Sequence, residues 1–284
     1  MTMRLARTTA AGTGIAWCAF GRLAGAQLPG VAIDPHIVVL TQARPAGEIT
    51  VFNPRQQATE FTVDLTFGYA TTDSAGAARV ELKEGPDSAS AAEWVTPYPR
   101  HFKLAPGATQ LVRLLARAPA NLPDGEYWAR LTVHSHDADA TSVSALTSPD
   151  SIRVALTLDI ATVMPVFFRK GAVATGIEMG EIAAALDRDA VEVRTSLRRS
   201  GNAAFLGIAH VAVLDSAGHE ITAVDRPLAV YLAAAPRWRI PITPAMRAAA
   251  NGVNVVLSTR RRDIPIGLVV QARQVQQQTS LRTQ

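Results

Sequence analysis

The sequence predicts an all-β protein made of two β-sandwiches. From Val31 onward apolar side chains recur at every second position, the period of a half-buried strand. Clusters of Pro, Gly, Asn, Asp and Ser punctuate these runs at short intervals, as in strands joined by turns. Apolar residues make up 48% of the chain and charged residues 18%, which supports folded cores and argues against global disorder. A length of 284 residues accommodates two ordinary domains.

The first residues predict a secretion signal over residues 1–26. Arg4 and Arg7 give a positive start, Ile15-Ala16-Trp17-Cys18-Ala19-Phe20 a short apolar stretch, and Ala24-Gly25-Ala26 a small-residue cleavage pattern. Cys18 is the only cysteine, so no disulfide or cysteine-based metal site can form within the chain. No later apolar run approaches the roughly 20 residues of a membrane-spanning helix.

A first domain is expected over residues 28–169. Pro35 interrupts its first strand and so assigns that strand to a sheet edge. Ile49 and Val51 mark the next strand, and Phe61 to Tyr69 alternates strictly. Val112 and Leu114 follow, then Tyr127, Ala129, Leu131 and Val133. Turns are expected at Asn53-Pro54, Asp73-Ser74-Ala75-Gly76, Pro106-Gly107 and Pro123-Asp124-Gly125. Glu84 to Trp94 and Asp137 to Asp150 read as loops.

A strong strand then runs from Ile152 to about Val163, with Ile152, Val154, Leu156, Leu158 and Ile160 on one face. Each such side chain is worth about 1.5–3 kcal/mol when buried, so five cannot all stay in water. They line this domain's own core, or part of the strand awaits a partner. The long preceding loop would let the start of the strand project.

The chain is expected to cross to a second domain, residues 170–273, near Arg169 to Gly171. Its strands centre on Val191 and Val193; Phe205, Ile208, Val211 and Val213; Val230 and Leu232; Trp238 and Ile240; Val253 to Leu257; and Ile264 to Val270. Helical periodicity shows at Ala245 to Ala250 and at Glu178 to Leu186. Residues 274–284 are polar and are expected to be a disordered tail.

The formal net charge of +4 is not gathered into a basic face. Only Lys83, Lys103 and Lys170 of the 28 basic residues are lysines, and the densest run is Arg260-Arg261-Arg262. A nucleic-acid-binding surface would concentrate that charge, so none is expected. His134 and His136 share a strand face, as a pair of metal ligands would, but no completing ligand pattern follows them. Asp187 and Asp189 fall on a turn between strands, and Trp94, Trp128 and Trp238 read as core or rim aromatics. The chain has no H-E-x-x-H, no G-x-S-x-G and no phosphate loop. No enzyme, metal or cofactor is expected.

Four segments, in order, carry a family resemblance. Phe102-Lys103-Leu104-Ala105-Pro106-Gly107-Ala108-Thr109-Gln110-Leu111-Val112-Arg113 resembles the F-x-L-x-P-G-x-x-Q-x-V-R signature of the PapD-like periplasmic chaperones of pilus and fimbrial assembly. Ile49-Thr50-Val51-Phe52-Asn53-Pro54 resembles their second strand and its turn. Leu122-Pro123-Asp124-Gly125-Glu126-Tyr127-Trp128 and Val166-Phe167-Phe168-Arg169 resemble two later segments of their first domain. The match covers about residues 33–170.

The resemblance implies two immunoglobulin-like domains in an L-shaped arrangement. It implies binding of a protein client, a pilus-like or other secreted subunit, by β-strand addition through Ile152, Val154, Leu156, Leu158 and Ile160. An outer-membrane usher is a further implied partner, the location is the periplasm, and neither cofactor nor ATP is needed. Glu126 and Arg169 match positions that join the family's domains by an ion pair. One departure stands out. The family holds its client's terminal carboxylate with a cleft arginine and lysine, and here Ile37 and Pro165 occupy those positions. That departure keeps a second reading open, a structural or adhesive module of the cell envelope.

Overall fold

The computed structural model describes residues 31–85, 87–137 and 160–281. The expected signal at 1–26 and the stripe residues Ile152, Val154, Leu156 and Leu158 lie outside them. The first half contains β1 (Ala32–Asp34), β2 (Val38–Thr41), β3 (Ala46–Phe52), β4 (Thr59–Thr72) and β5 (Ala78–Lys83). It continues with β6 (Val95–Tyr98), β7 (His101–Leu104), β8 (Thr109–Ala116), β9 (Gly125–Asp137) and β10 (Ile160–Lys170).

These strands form two sheets, β1-β3-β8-β6 and β2-β10-β9-β4-β5, with β7 paired to β4. Alternation decides what lies between them. Ile49, Val51, Val112 and Leu114 from the first sheet meet Leu40, Phe61, Val63, Leu131, Val133 and Val166 from the second in one buried core. Pro35 falls in the break between β1, at the edge of one sheet, and β2, at the edge of the other.

The second half contains β11 (Thr175–Met179), β12 (Ala183–Leu186), β13 (Ala190–Arg194), β14 (Leu197–Gly201) and β15 (Phe205–Leu214). Then come β16 (Glu220–Val230), β17 (Ala233–Ala234), β18 (Arg237–Pro241), α1 (Pro244–Ala249), β19 (Gly252–Ser258) and β20 (Val275–Ser280). The sheet β16-β15-β19-β20 packs its apolar face on the two small sheets β11-β14-β17 and β12-β13-β18. Val191, Val193, Phe205, Val211, Ile240 and Val255 lie at the centre of that second core. The fold is therefore all-β, two β-sandwiches in one chain, with α1 capped at its start by the Thr243 side chain.

Four readings are corrected. Ile264 to Val270 is not a strand: it is an irregular segment with one short 3-10 turn, Ile266–Leu268, and its apolar Ile264 and Val269 pack into a core cluster without pairing in a sheet. Glu178 to Leu186 is not helical: it holds the end of β11 and all of β12, each paired across a sheet. Its brief 3.6-residue spacing is overridden by tertiary pairing. The strand before the junction does not stop at Val163 but runs on to Lys170. Pro165 is tolerated there because, among the described residues, β2 reaches β10 only from Val166 onward. Residues 275–280 of the expected disordered tail form β20, which pairs with β19 along its length. Its polar side chains are no obstacle, because an edge strand is held by backbone hydrogen bonds with one face in water.

Between the halves the chain turns at Gly171, whose φ is +58°. A Cβ there would lie 2.0 Å from the Asp124 carboxyl carbon, so the position has no room for a side chain.

Candidate functional site

Two features follow from this architecture. The first is an open strand edge. β10 lies antiparallel to β9 from Ile160↔Ser135 to Lys170↔Gly125. On its other side β2 pairs, in parallel, only with Val166 to Arg169. Along Ile160 to Pro165, therefore, β10 has no neighbour on that side among the described residues. Its outward N–H and C=O groups are of the kind that template another strand.

Side chains along this stretch alternate between two environments. Met164 and Val166 are buried in the first core, and Ile160, on the same face, is half-buried. Val163 points the other way and is 37% exposed.

The second feature is the junction. Arg169 and Glu126 face each other in register on β10 and β9. Arg169 Nε donates to Glu126 Oε2 at 2.8 Å, and the Glu126 side chain is fully buried. Two further donors meet Glu126 Oε1: Trp128 Nε1 at 3.2 Å and the Ala204 backbone N–H at 2.9 Å. Arg169 Nη2 donates to the Leu268 carbonyl at 2.8 Å. The pair thus binds Ala204 and Leu268 of the second half to β9 and β10 of the first. A buried ion pair is tolerated only when its remaining hydrogen-bonding groups are satisfied, and these partners do that.

Around the pair, a third apolar cluster bridges the halves. Ile37, Phe67, Tyr69, Trp128 and Phe167 come from the first half, and Ala204, Leu206, Tyr231, Ile264 and Val269 from the second. Tyr231 is its centre: the Phe167 ring stacks on it at 5.8 Å and Trp128 meets it edge-on at 4.9 Å. Burial pushes the Tyr231 hydroxyl up to about 12, against the pull of the Arg130 guanidinium 5.0 Å from its ring.

The resemblance implies a carboxylate anchor at the positions of Ile37 and Pro165. Ile37 is buried within this apolar cluster, and Pro165 is half-buried opposite Arg130. Neither can hold an anion. Arg130 is 5% exposed, and its Nε and Nη2 have no hydrogen-bond partner among the described residues.

The remaining candidates separate. His134 and His136 do share a face and stack with ring centroids 6.1 Å apart. Among the described residues no group of three His, Cys, Asp or Glu is placed to hold a metal. Asp187 and Asp189 lie on the β12–β13 turn, both paired to Arg239. Trp128 and Trp238 are buried, and Trp94 packs on the first core. Sequence reasoning missed Ala204 and Leu268, which act through backbone atoms and carry no side-chain signal. It also missed Tyr231, whose neighbours come from distant strands. Among the described residues, no helix is long and apolar enough to cross a membrane.

No protein-family model matches this sequence, and no curated protein does. The chain is similar to solved fimbrial chaperones. The E. coli chaperone DraB is 11% identical, over 90% of this chain and 97% of that one, with a TM-score of 0.42. The Pseudomonas aeruginosa chaperone CupB2 is 11% identical, over 88% and 100%, with a TM-score of 0.41. A chain of the complex between the Salmonella enterica SafA pilin and the SafB chaperone is 13% identical, over 88% and 96%, with a TM-score of 0.42.

Proposed function

We propose that this protein is a divergent PapD-like periplasmic chaperone that binds and stabilises a secreted, pilus-like subunit by β-strand addition. The open edge of β10 at Ile160 to Pro165 carries this reading. A subunit with an unfinished sheet would pair its backbone there and receive apolar side chains from the same strand. The stripe Ile152, Val154, Leu156, Leu158 and Ile160 precedes and enters this edge in sequence. Strand pairing exchanges backbone hydrogen bonds and apolar contacts, so the reading requires neither ATP nor a catalytic group.

The test is capture of a subunit from the native envelope by C-terminally tagged protein, with mass spectrometry of the eluate. One abundant partner with an incomplete sandwich sequence is expected. Leu156→Ser with Leu158→Ser should reduce its recovery by about tenfold or more, since two apolar contacts are worth several kcal/mol. The variant's thermal midpoint should stay near wild type. A variant that simply unfolds would return the stripe to this protein's own core and sink the reading.

One observation favours the second reading, a structural or adhesive envelope module. Ile37 and Pro165 leave no charge where a client's terminal carboxylate would be held. That module predicts no single abundant client in the same capture.

A further inference from the structure

A groove of about 500 Å³ runs between the β4–β5 hairpin of the first half and β16 to β18 of the second. Its floor is apolar, with Ala70, Leu228, Ala229 and Pro236. Its walls carry four arginines, Arg226, Arg237, Arg239 and Arg261, and among the described residues no aspartate or glutamate lines it. Where these arginines have acidic partners, those partners are not among the lining residues. Arg237 pairs with Glu192, Arg239 with Asp187 and Asp189, and Arg261 with Asp263. Arg226 is exposed and has no acidic partner among the described residues. A guanidinium has five N–H donors in a fork, so these pairs leave donors for a further carboxylate.

Two observations extend the site. Buried Arg130 lies 5.0 Å from the Tyr231 ring, which also feels Arg261, so further positive charge stands behind this side of the junction, beside the buried Glu126 carboxylate. On β5, Ala78 shares a face with Val80 and Leu82, which are 47% and 48% exposed. The apolar floor therefore continues outward along an edge strand. The hairpin is fixed against the second half by Ala235 N donating to Thr72 Oγ1 at 2.8 Å and Arg237 N donating to the Gly76 carbonyl at 3.1 Å. The groove is preformed.

We propose that this groove docks an extended segment of a protein partner in which acidic residues alternate with apolar ones. The arginines would take the carboxylates, and the floor and the Val80–Leu82 stripe the apolar side chains. The inference rests on the chaperone reading for the nature of the partner and gives the chemistry of a second contact on it. The groove shares no residue with the β10 edge, so the two ideas fail separately.

The test is fluorescence anisotropy of the whole protein with the fluorescein-labelled peptide (Glu-Val)5. The comparison peptides are (Ser-Val)5 and (Lys-Val)5, with tripolyphosphate as a small competing anion. Only the acidic peptide is expected to bind, more weakly as salt rises. Arg226→Glu with Arg239→Glu should weaken it by about tenfold or more. Arg44→Glu with Arg117→Glu, the same change in net charge on exposed arginines elsewhere, should weaken it by less than about threefold. Equal losses in the two double variants would reduce the effect to net charge and overturn the proposal. So would equal binding of (Ser-Val)5, or tripolyphosphate binding at the groove while (Glu-Val)5 does not.

Discussion

Glu126 receives donors from Arg169, Trp128 and the Ala204 backbone while its side chain is wholly buried. Its neutralisation should therefore cost far more than a surface ion pair would. Glu126→Gln keeps an oxygen for Ala204 and Trp128 but turns an N–H₂ toward Arg169, leaving a buried cation facing a donor. Arg169→Met leaves the carboxylate uncompensated. Each is expected to lower unfolding stability by about 3–5 kcal/mol. The double variant should cost less than the sum by about 2 kcal/mol, because it removes both charges together. Urea unfolding of the four proteins measures this, and strict additivity would show that the pair does not act as a unit. Glu126 and Arg169 were legible in the sequence only through the resemblance, since 43 residues separate them. Their second-half partners were not legible, because a backbone N–H at Ala204 looks the same in any sequence.

At the scale of elements, alternation made β4, β9, β15 and β19 readable, since one face of each enters a core. It did not say which core. Phe61 and Val63 fill the first sandwich, whereas Phe67 and Tyr69, in the same sequence rhythm, turn to the junction cluster. β20 was invisible for the opposite reason. Gln276, Gln278 and Ser280 face water, and the strand is recognised by its pairing with β19 rather than by its side chains. Val275 and Leu281 nevertheless pack against the second core. Ending the chain at Arg273 should thus cost about 2–4 kcal/mol, from two partly buried apolar side chains and the uncovered edge of β19. Thermal unfolding of the shortened protein reads this directly, and an unchanged midpoint would mean that β20 adds nothing.

At the scale of the whole molecule, Tyr231 decides whether the halves behave as one body. Its ring lies between Phe167 and Trp128 of the first half and sits at the start of the β16–β17 turn of the second. Calorimetry of the wild type should show a single unfolding transition. Tyr231→Ala removes a buried aromatic, worth about 3–5 kcal/mol, from the cluster that couples the two cores, and should split that transition in two. Tyr231→Phe keeps the ring stack and should keep the single transition, but it removes the hydroxyl. In the unfolded chain that hydroxyl ionises near pH 10, and in the fold near 12. As pH rises the unfolded state releases its proton first. The hydroxyl's contribution is therefore complete below about pH 10 and is lost as pH climbs toward 12, on the order of 2–3 kcal/mol. Urea midpoints of wild type and Tyr231→Phe, followed from pH 8 to 11.5, should diverge in the wild type's disfavour above about pH 10. Parallel curves would mean that the hydroxyl reaches water in the folded protein, and that the junction is looser than one body requires.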